Sequence, residues 1–150
     1  MILVREAAAQ DFPVIYSLIR NELGYSDFVE KDTIGRLERI GNNKDWATFV
    51  AVVNNEVVGF VGLMKGITYE IEGYYSQIMA LAVSEKTRRE GVGTALVKKA
   101  EEWSLTFGIN NILVRSNVKR LNAHTFYKNS GFMQIKESFT FAKDMQTKDL

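Results

Sequence analysis

Apolar and polar positions along this chain fall into short runs of two different spacings, and each change of spacing marks the edge of an element. Ile2 to Glu6 reads as a first strand. Asp11-Phe12-Pro13 brings a capping-type residue and a proline to the point where Val14, Ile15, Leu18, Ile19 and Leu23 begin a helical stripe, which closes near Gly24. A second helix is predicted from about Lys31 to Ile40, capped by Asp32 or Thr33 and stopped by Gly41. Trp46 to Val53 and Val57 to Met64 read as two strands. The Asn54-Asn55 pair between them tolerates positive φ, so they form a hairpin. Ile78 to Val83 is a short bounded apolar run, a buried strand. Beyond it Val92, Leu96, Ala100, Trp103 and Phe107 recur three or four residues apart, the stripe of an amphipathic helix ending before Gly108. Asn111 to Ser116 alternates as a fifth strand, Leu121 to Asn129 is a short helix closed by Gly131, and Phe132–Ile135 and Phe139–Lys143 read as two final strands.

This order of strand, helix, helix, three strands, helix, strand, helix and two strands is a mixed α/β order, neither doubly wound nor all-β. A single proline and the absence of low-complexity tracts, linkers or repeats predict one domain over residues 1–150.

Composition narrows the chemistry more than the fold. A net charge of +1 leaves no global basic field for nucleic acid. With no cysteine, disulfides, thiolate nucleophiles and cysteine metal sites are excluded. One histidine, His124, makes a zinc site or a His-based triad a poor expectation, so no metal is expected. No apolar run approaches the roughly 20 residues of a membrane span, and Met1 to Arg5 is too short for a signal sequence's apolar core. A cytoplasmic location is the expectation, with neither nucleic acid nor membrane as partner.

The most specific stretch is the turn after the fourth strand, Arg88-Arg89-Glu90-Gly91-Val92-Gly93-Thr94. A strand entering a helix through a glycine-bearing loop leaves free N–H groups at the helix start, which together with the helix dipole form an anion site. Glycine lets a phosphate approach the backbone, and two arginines add charge of the right sign. Arg88-x-x-Gly91-x-Gly93 resembles the acetyl-CoA signature of the GCN5-related N-acetyltransferases. Further along, Ala123-His124-Thr125-Phe126-Tyr127 followed by Gly131-Phe132 resembles the second signature of that family. The resemblance covers nearly the whole chain and implies a central, mostly antiparallel sheet of about seven strands flanked by about four helices.

It also implies a donor site. The amides of Arg89, Glu90, Gly91, Val92, Gly93 and Thr94, with Arg88 beside them, would hold the pyrophosphate of acetyl-CoA. The backbone of Leu81, Ala82 and Val83 would hold the pantetheine arm, one exposed N–H polarising the thioester carbonyl. Tyr127 matches the family's tyrosine near the coenzyme sulfur; a phenol titrating near ~10 suits the acid that protonates the departing thiolate. Many members carry Asn where this chain has Arg120, which leaves Asn122 and Arg120 as alternative coenzyme contacts. His124 is read as a packing or helix-surface residue.

The general base is open: the fifth strand has no carboxylate, and Glu72, Glu70, Glu22 or a water relay are the alternatives, with Glu72 chosen as the catalytic candidate. The implied activity is transfer of an acetyl group to a primary amine by direct attack, without an acyl-enzyme. The alternative is a non-catalytic acyl-CoA-binding or regulatory domain on the same fold. ATP or NAD binding predicts Gly-x-x-x-x-Gly-Lys-Ser/Thr or Gly-x-Gly-x-x-Gly, and neither occurs. By position in the fold, the first helix, Gly24 to Thr33 and Gly66 to Tyr75 would line the acceptor side. Tyr25, Asp27, Glu30, Glu70 and Glu72 there suit a cationic small-molecule or peptide amine. A homodimer is a further option.

Overall fold

The computed structural model describes residues 1–146; residues 147–150, the end of the expected domain, lie outside the described residues. The elements are β1 (Leu3–Glu6), α1 (Phe12–Glu22), α2 (Glu30–Gly41), β2 (Trp46–Val53), β3 (Glu56–Gly66), β4 (Tyr75–Val83), α3 (Val92–Thr106), β5 (Ile112–Val114) and α4 (Leu121–Asn129). Single 3-10 turns lie at Ala9–Asp11 and Glu85–Thr87. The chain gathers into two compact units, Met1–Arg115 and a second that begins at Ser116. Among the described residues no helix is long and apolar enough to cross a membrane.

The first unit is built on a sheet in the order β1-β2-β3-β4-β5. Its first four strands are antiparallel neighbours and β5 joins β4 in parallel. The mixed, mostly antiparallel sheet and four helices agree with expectation. Asn54 and Asn55, at φ 50° and 67°, make the β2–β3 turn with both central residues in the left-handed region.

Side chains alternate across the sheet, so β3 serves two helical layers. Val50, Phe60 and Ala82 face Ile15 and Leu18 of α1 and Leu37 of α2 in one buried cluster. Gly59, the neighbour of Phe60, faces the other way, under the first turns of α3. A Cβ on Gly59 would lie 2.9 Å from the Ala82 carbonyl oxygen and 3.2 Å from side-chain carbons of both Val92 and Leu96. The start of α3 therefore rests directly on bare strand backbone. Further along α3, the Ser104 hydroxyl meets that of Ser76 in β4 at 2.6 Å and donates to the Ala100 carbonyl at 2.8 Å, so both buried hydroxyls are satisfied.

Three expectations need correction. Asp11 does not cap α1: its carboxylate accepts two hydrogen bonds from Arg5, at 2.7 and 2.9 Å, and one from the Ala8 N–H at 2.7 Å. A charged partner holds it more strongly than a helix amide would. Neither Asp32 nor Thr33 caps α2, which begins earlier, after Val29. Thr33 is buried within the helix and accepts from the Arg36 guanidinium at 3.1 Å.

The largest correction concerns the strand count, which is five among the described residues rather than about seven. Phe132–Ile135 and Phe139–Lys143 form no strand. Alternation supplies the side chains for a strand, but a strand also needs a partner for its amides. Residues 133–145 make no backbone-to-backbone hydrogen bond among the described residues.

Candidate functional site

Strand β4 outlasts its parallel neighbour. β5 pairs with it only at Ser76, Gln77 and Ile78, so from Met79 to Val83 the strand has β3 on one side and, among the described residues, no strand on the other. The β3–β4 register shifts between Gly62 and Leu63, leaving Met79 without an opposite residue, a bulge that changes which amides face outward. Before it, the Ser76 N–H donates toward β5, to the Asn111 carbonyl at 3.0 Å; beyond the strand end, the Ser84 N–H donates to the Val58 carbonyl at 2.7 Å. Counted back from Ser84, antiparallel alternation turns the backbone groups of Ala82 and Ala80 to β3 and those of Leu81 and Val83 to the open edge. The half-exposed strand ends where the glycine turn begins.

In that turn the Arg88 and Glu90 N–H groups bond back to the Glu85 and Thr87 carbonyls, and the Ala95 N–H bonds to the Gly91 carbonyl. Between them the N–H groups of Arg89, Gly91, Val92, Gly93 and Thr94 take no hydrogen bond among the described residues. Arg89 at φ 70° and Gly91 at φ 87° turn the chain so that these donors gather at the start of a fifteen-residue helix. A Cβ on Gly91 would meet only the Ile2 side chain, at 3.9 Å. The left-handed backbone, rather than lack of room, is what requires glycine there.

Glu22 holds this turn from behind. At the end of α1 and only 13% exposed, its carboxylate accepts from the Arg88 guanidinium at 3.0 Å and from the Glu85 N–H at 3.0 Å. The pair uses one nitrogen of Arg88, whose side chain is 55% exposed. Sequence reasoning offered Glu22 as a general base and did not foresee this role. No local signal could have revealed it, since the partners are brought together only by the fold. Gly59 was missed for the same reason.

In the second unit, α4 carries Tyr127 on its buried side, edge-on to Phe126 at 5.5 Å and Phe132 at 5.7 Å between centroids. Burial pushes its phenol above the ordinary value near 10, and the positive charge of Arg120 partly opposes that rise. Arg120 precedes the helix and Asn122 lies exposed in its first turn. The His124 ring nitrogen Nε2 lies 2.8 Å from the Asn117 carbonyl, tying the preceding loop to the helix.

Between β3 and β4, Glu72 is exposed, with Tyr69 and Tyr74 exposed beside it. Glu70 accepts from the Thr68 hydroxyl at 2.6 Å. In the α1–α2 connection the rings of Tyr25 and Phe28 stack at 4.8 Å, the Arg36 guanidinium covers Phe28 at 4.9 Å, and the Tyr16 hydroxyl donates to the Phe28 carbonyl at 3.1 Å. That connection is thereby a braced aromatic turn. Among the described residues no group of three or more His, Asp or Glu side chains is placed to share a metal ion.

Comparison with known proteins bears on this arrangement. The sequence model of the acetyltransferase (GNAT) family matches residues 6–132. The chain is 29% identical over 143 residues to the aminoalkylphosphonate N-acetyltransferase of Salmonella typhimurium, covering 93% of this chain and 90% of that one. Among solved structures, it superposes on a transcriptional regulator from Bacillus halodurans with a TM-score of 0.87 at 21% identity, over 95% of this chain and 100% of the other. It superposes on AAC(6')-Iy in complex with the bisubstrate analog CoA-S-monomethyl-acetylneamine with a TM-score of 0.86 at 13% identity, over 96% and 99%. At those identities the two structures speak to the fold alone.

Proposed function

The chain belongs to the GNAT acetyltransferase family and is an acyltransferase, and on that premise we propose that it transfers an acetyl group from acetyl-CoA to a primary amine by direct attack on the thioester. The observation that carries the proposal is the continuity of the open β4 edge with the amide cluster at the start of α3. An extended arm ending in a pyrophosphate matches an open strand edge that leads into an anion site. The pantetheine amides pair with the backbone of Leu81 and Val83, with Ala82 as the spacer between them. The pyrophosphate takes the N–H groups of Arg89, Gly91, Val92, Gly93 and Thr94, with Glu90 shaping the turn and Arg88 adding charge.

In the reaction the neutral amine attacks the thioester carbonyl carbon. A backbone N–H on the open edge of β4 stabilises the oxyanion of the tetrahedral intermediate. Collapse breaks the carbon–sulfur bond; the thiolate takes a proton from the Tyr127 phenol, and the amine's proton leaves to a base. Support for Tyr127 comes from its place in the second family signature and from a burial that keeps the phenol protonated near neutral pH. Glu22 is committed to Arg88 and Glu85, and Glu70 to Thr68, which leaves Glu72 or a water as the base. Asn122, exposed at the start of α4, is kept as a further contact to the coenzyme. The acceptor class is a primary amine: the acidic residues of the α1–α2 and β3–β4 connections suit an ammonium group, and the name of one relative speaks of an aminoalkylphosphonate.

Titration with CoA and with pantetheine alone tests the donor half. CoA should bind at least about tenfold tighter, since one hydrogen bond to a charged group contributes about 1.5 kcal/mol, and the gap should narrow with salt. Equal affinities would mean that the amide cluster holds no pyrophosphate.

A further inference from the structure

Where β4 loses its parallel neighbour, the chain sets down a charged side chain. Arg115 follows the last residue of β5, one step past the Ile78–Val114 pair, and so comes level with the bulge at Met79. Ser76 turns its hydroxyl to Ser104 of α3. Side chains alternate along a strand, so Gln77 looks the other way, to the face that carries α1 and α2. Leu113 stands opposite Gln77, and Arg115, two residues further on, shares that face. The two side chains meet there: the Arg115 guanidinium donates through Nη1 to Oε1 of Gln77 at 3.2 Å.

This contact is built from a buried post and an exposed arm. Gln77 is 6% exposed, whereas Arg115 is open to solvent. The guanidinium charge is also left uncancelled. Ion pairs in the first unit join Arg5 to Asp11, Lys65 to Asp45, Arg88 to Glu22 and Lys99 to Glu102, and none takes Arg115. A neutral amide steadies the guanidinium without neutralising it. What remains is a set of donors. The Nε–Nη2 edge of Arg115 and the amide nitrogen of Gln77 take no acceptor among the described residues. Such an edge presents two parallel N–H groups, which match the two oxygens of an anion.

We propose that Arg115, held by Gln77, binds an anionic group on the amine that the chain acetylates, a carboxylate or a phosphonate carried by the acceptor itself. This rests on the acetyl-transfer reading above. There the coenzyme arm runs back from the glycine turn past Val83 and Leu81, so its acyl end is directed toward Met79, where β4 and β5 part. Arg115 stands at that parting. The acceptor is then a zwitterion, with its nitrogen directed to the thioester and its anion to the guanidinium. Arg115 sets the preference and Gln77 positions it.

Matched amines test this: β-alanine, 2-aminoethylphosphonate, propylamine and 1,3-diaminopropane. In the parent chain, kcat/KM for β-alanine or the phosphonate should exceed that for propylamine by about tenfold or more, the contribution of a hydrogen-bonded charge. The larger of the two values identifies the anion. Arg115→Ala should bring the ratio of anionic to uncharged amine close to one, chiefly through KM, and Arg115→Glu should turn the preference toward 1,3-diaminopropane. Gln77→Glu keeps an acceptor for the guanidinium but cancels its charge, so it should lower the ratio about as far as Arg115→Ala. A role in folding alone would not shift a ratio between two acceptors. A ratio near one in the parent, or one that Arg115→Ala leaves unchanged, would overturn the proposal. Acetylation of no amine at all would be a failure of the acetyl-transfer reading, and titration of the two anionic amines into the CoA-saturated chain then decides the anion site by itself. Binding weakened about tenfold by Arg115→Ala supports the site. No binding, or binding indifferent to Arg115, overturns it.

Discussion

At the scale of single residues the proposed chemistry turns on Tyr127. Burial raises its pKa and Arg120 lowers it, so the phenol stays protonated until above pH ~10. Tyr127→Phe keeps the ring and removes the proton; kcat should fall about a hundredfold or more, with CoA affinity unchanged within about twofold. An unchanged kcat would remove Tyr127 from the acid role. Arg120→Ala removes the charge that favours the phenolate, so the alkaline limb of the kcat profile should move to higher pH. Asp11 gives a separate prediction about stability. Arg5 bonding, and secondarily the Ala8 N–H, lower its pKa in the fold despite burial. A carboxyl whose folded pKa is depressed stabilises above its unfolded pKa, about 4, and that contribution is lost as pH falls through the folded value. Thermal melts of Asp11→Asn should therefore differ most from the parent at neutral pH and converge with it below about pH 4. The place of Tyr127 on α4 was legible from its motif. Asp11's true partner was not, because a capping-type residue beside a helix start looks the same whether its oxygens meet a helix amide or a guanidinium.

At the scale of elements the proposed donor site depends on how α3 is seated. Gly59 lets β3 pass beneath Val92 and Leu96, and Glu22 ties α1 to Arg88 and Glu85. Gly59→Ala puts a methyl 2.9 Å from a carbonyl oxygen; a loss of about 1–3 kcal/mol of stability should come with weaker CoA binding as the amide cluster shifts. Glu22→Ala strips both acceptors from the turn and should weaken CoA about fivefold, near 1 kcal/mol. Glu22→Gln keeps an acceptor for the Glu85 N–H and should stay within about twofold. Unchanged binding in Glu22→Ala would mean that the turn holds itself. Strands β2 and β3, their hairpin, α3 and α4 were all readable from spacing, because their patterns are local. The open half of β4 was not derivable from spacing, since it depends on where β5 stops. The missing final strands show the converse: residues 132–143 have the pattern of strands and no partner in the described chain to complete them.

At the scale of the whole molecule, two signatures in order carried the family reading, and the family match over residues 6–132 bears it out. The acceptor was less legible, because the connections after α1 and β3 that the proposal assigns to it carry exposed Tyr, Asp and Glu residues with no fixed spacing. The central claim joins a donor site in the first unit to an amine acceptor, and release of free thiol from acetyl-CoA tests it most directly. The amines to compare are aminoalkylphosphonates, aminoglycosides, polyamines and peptides. Thiol release that depends on one amine class, with one acetylated amine formed per thiol, is the predicted result. CoA binding with no amine-dependent thiol release across the whole set would contradict it and make the chain a binding module on an acetyltransferase fold.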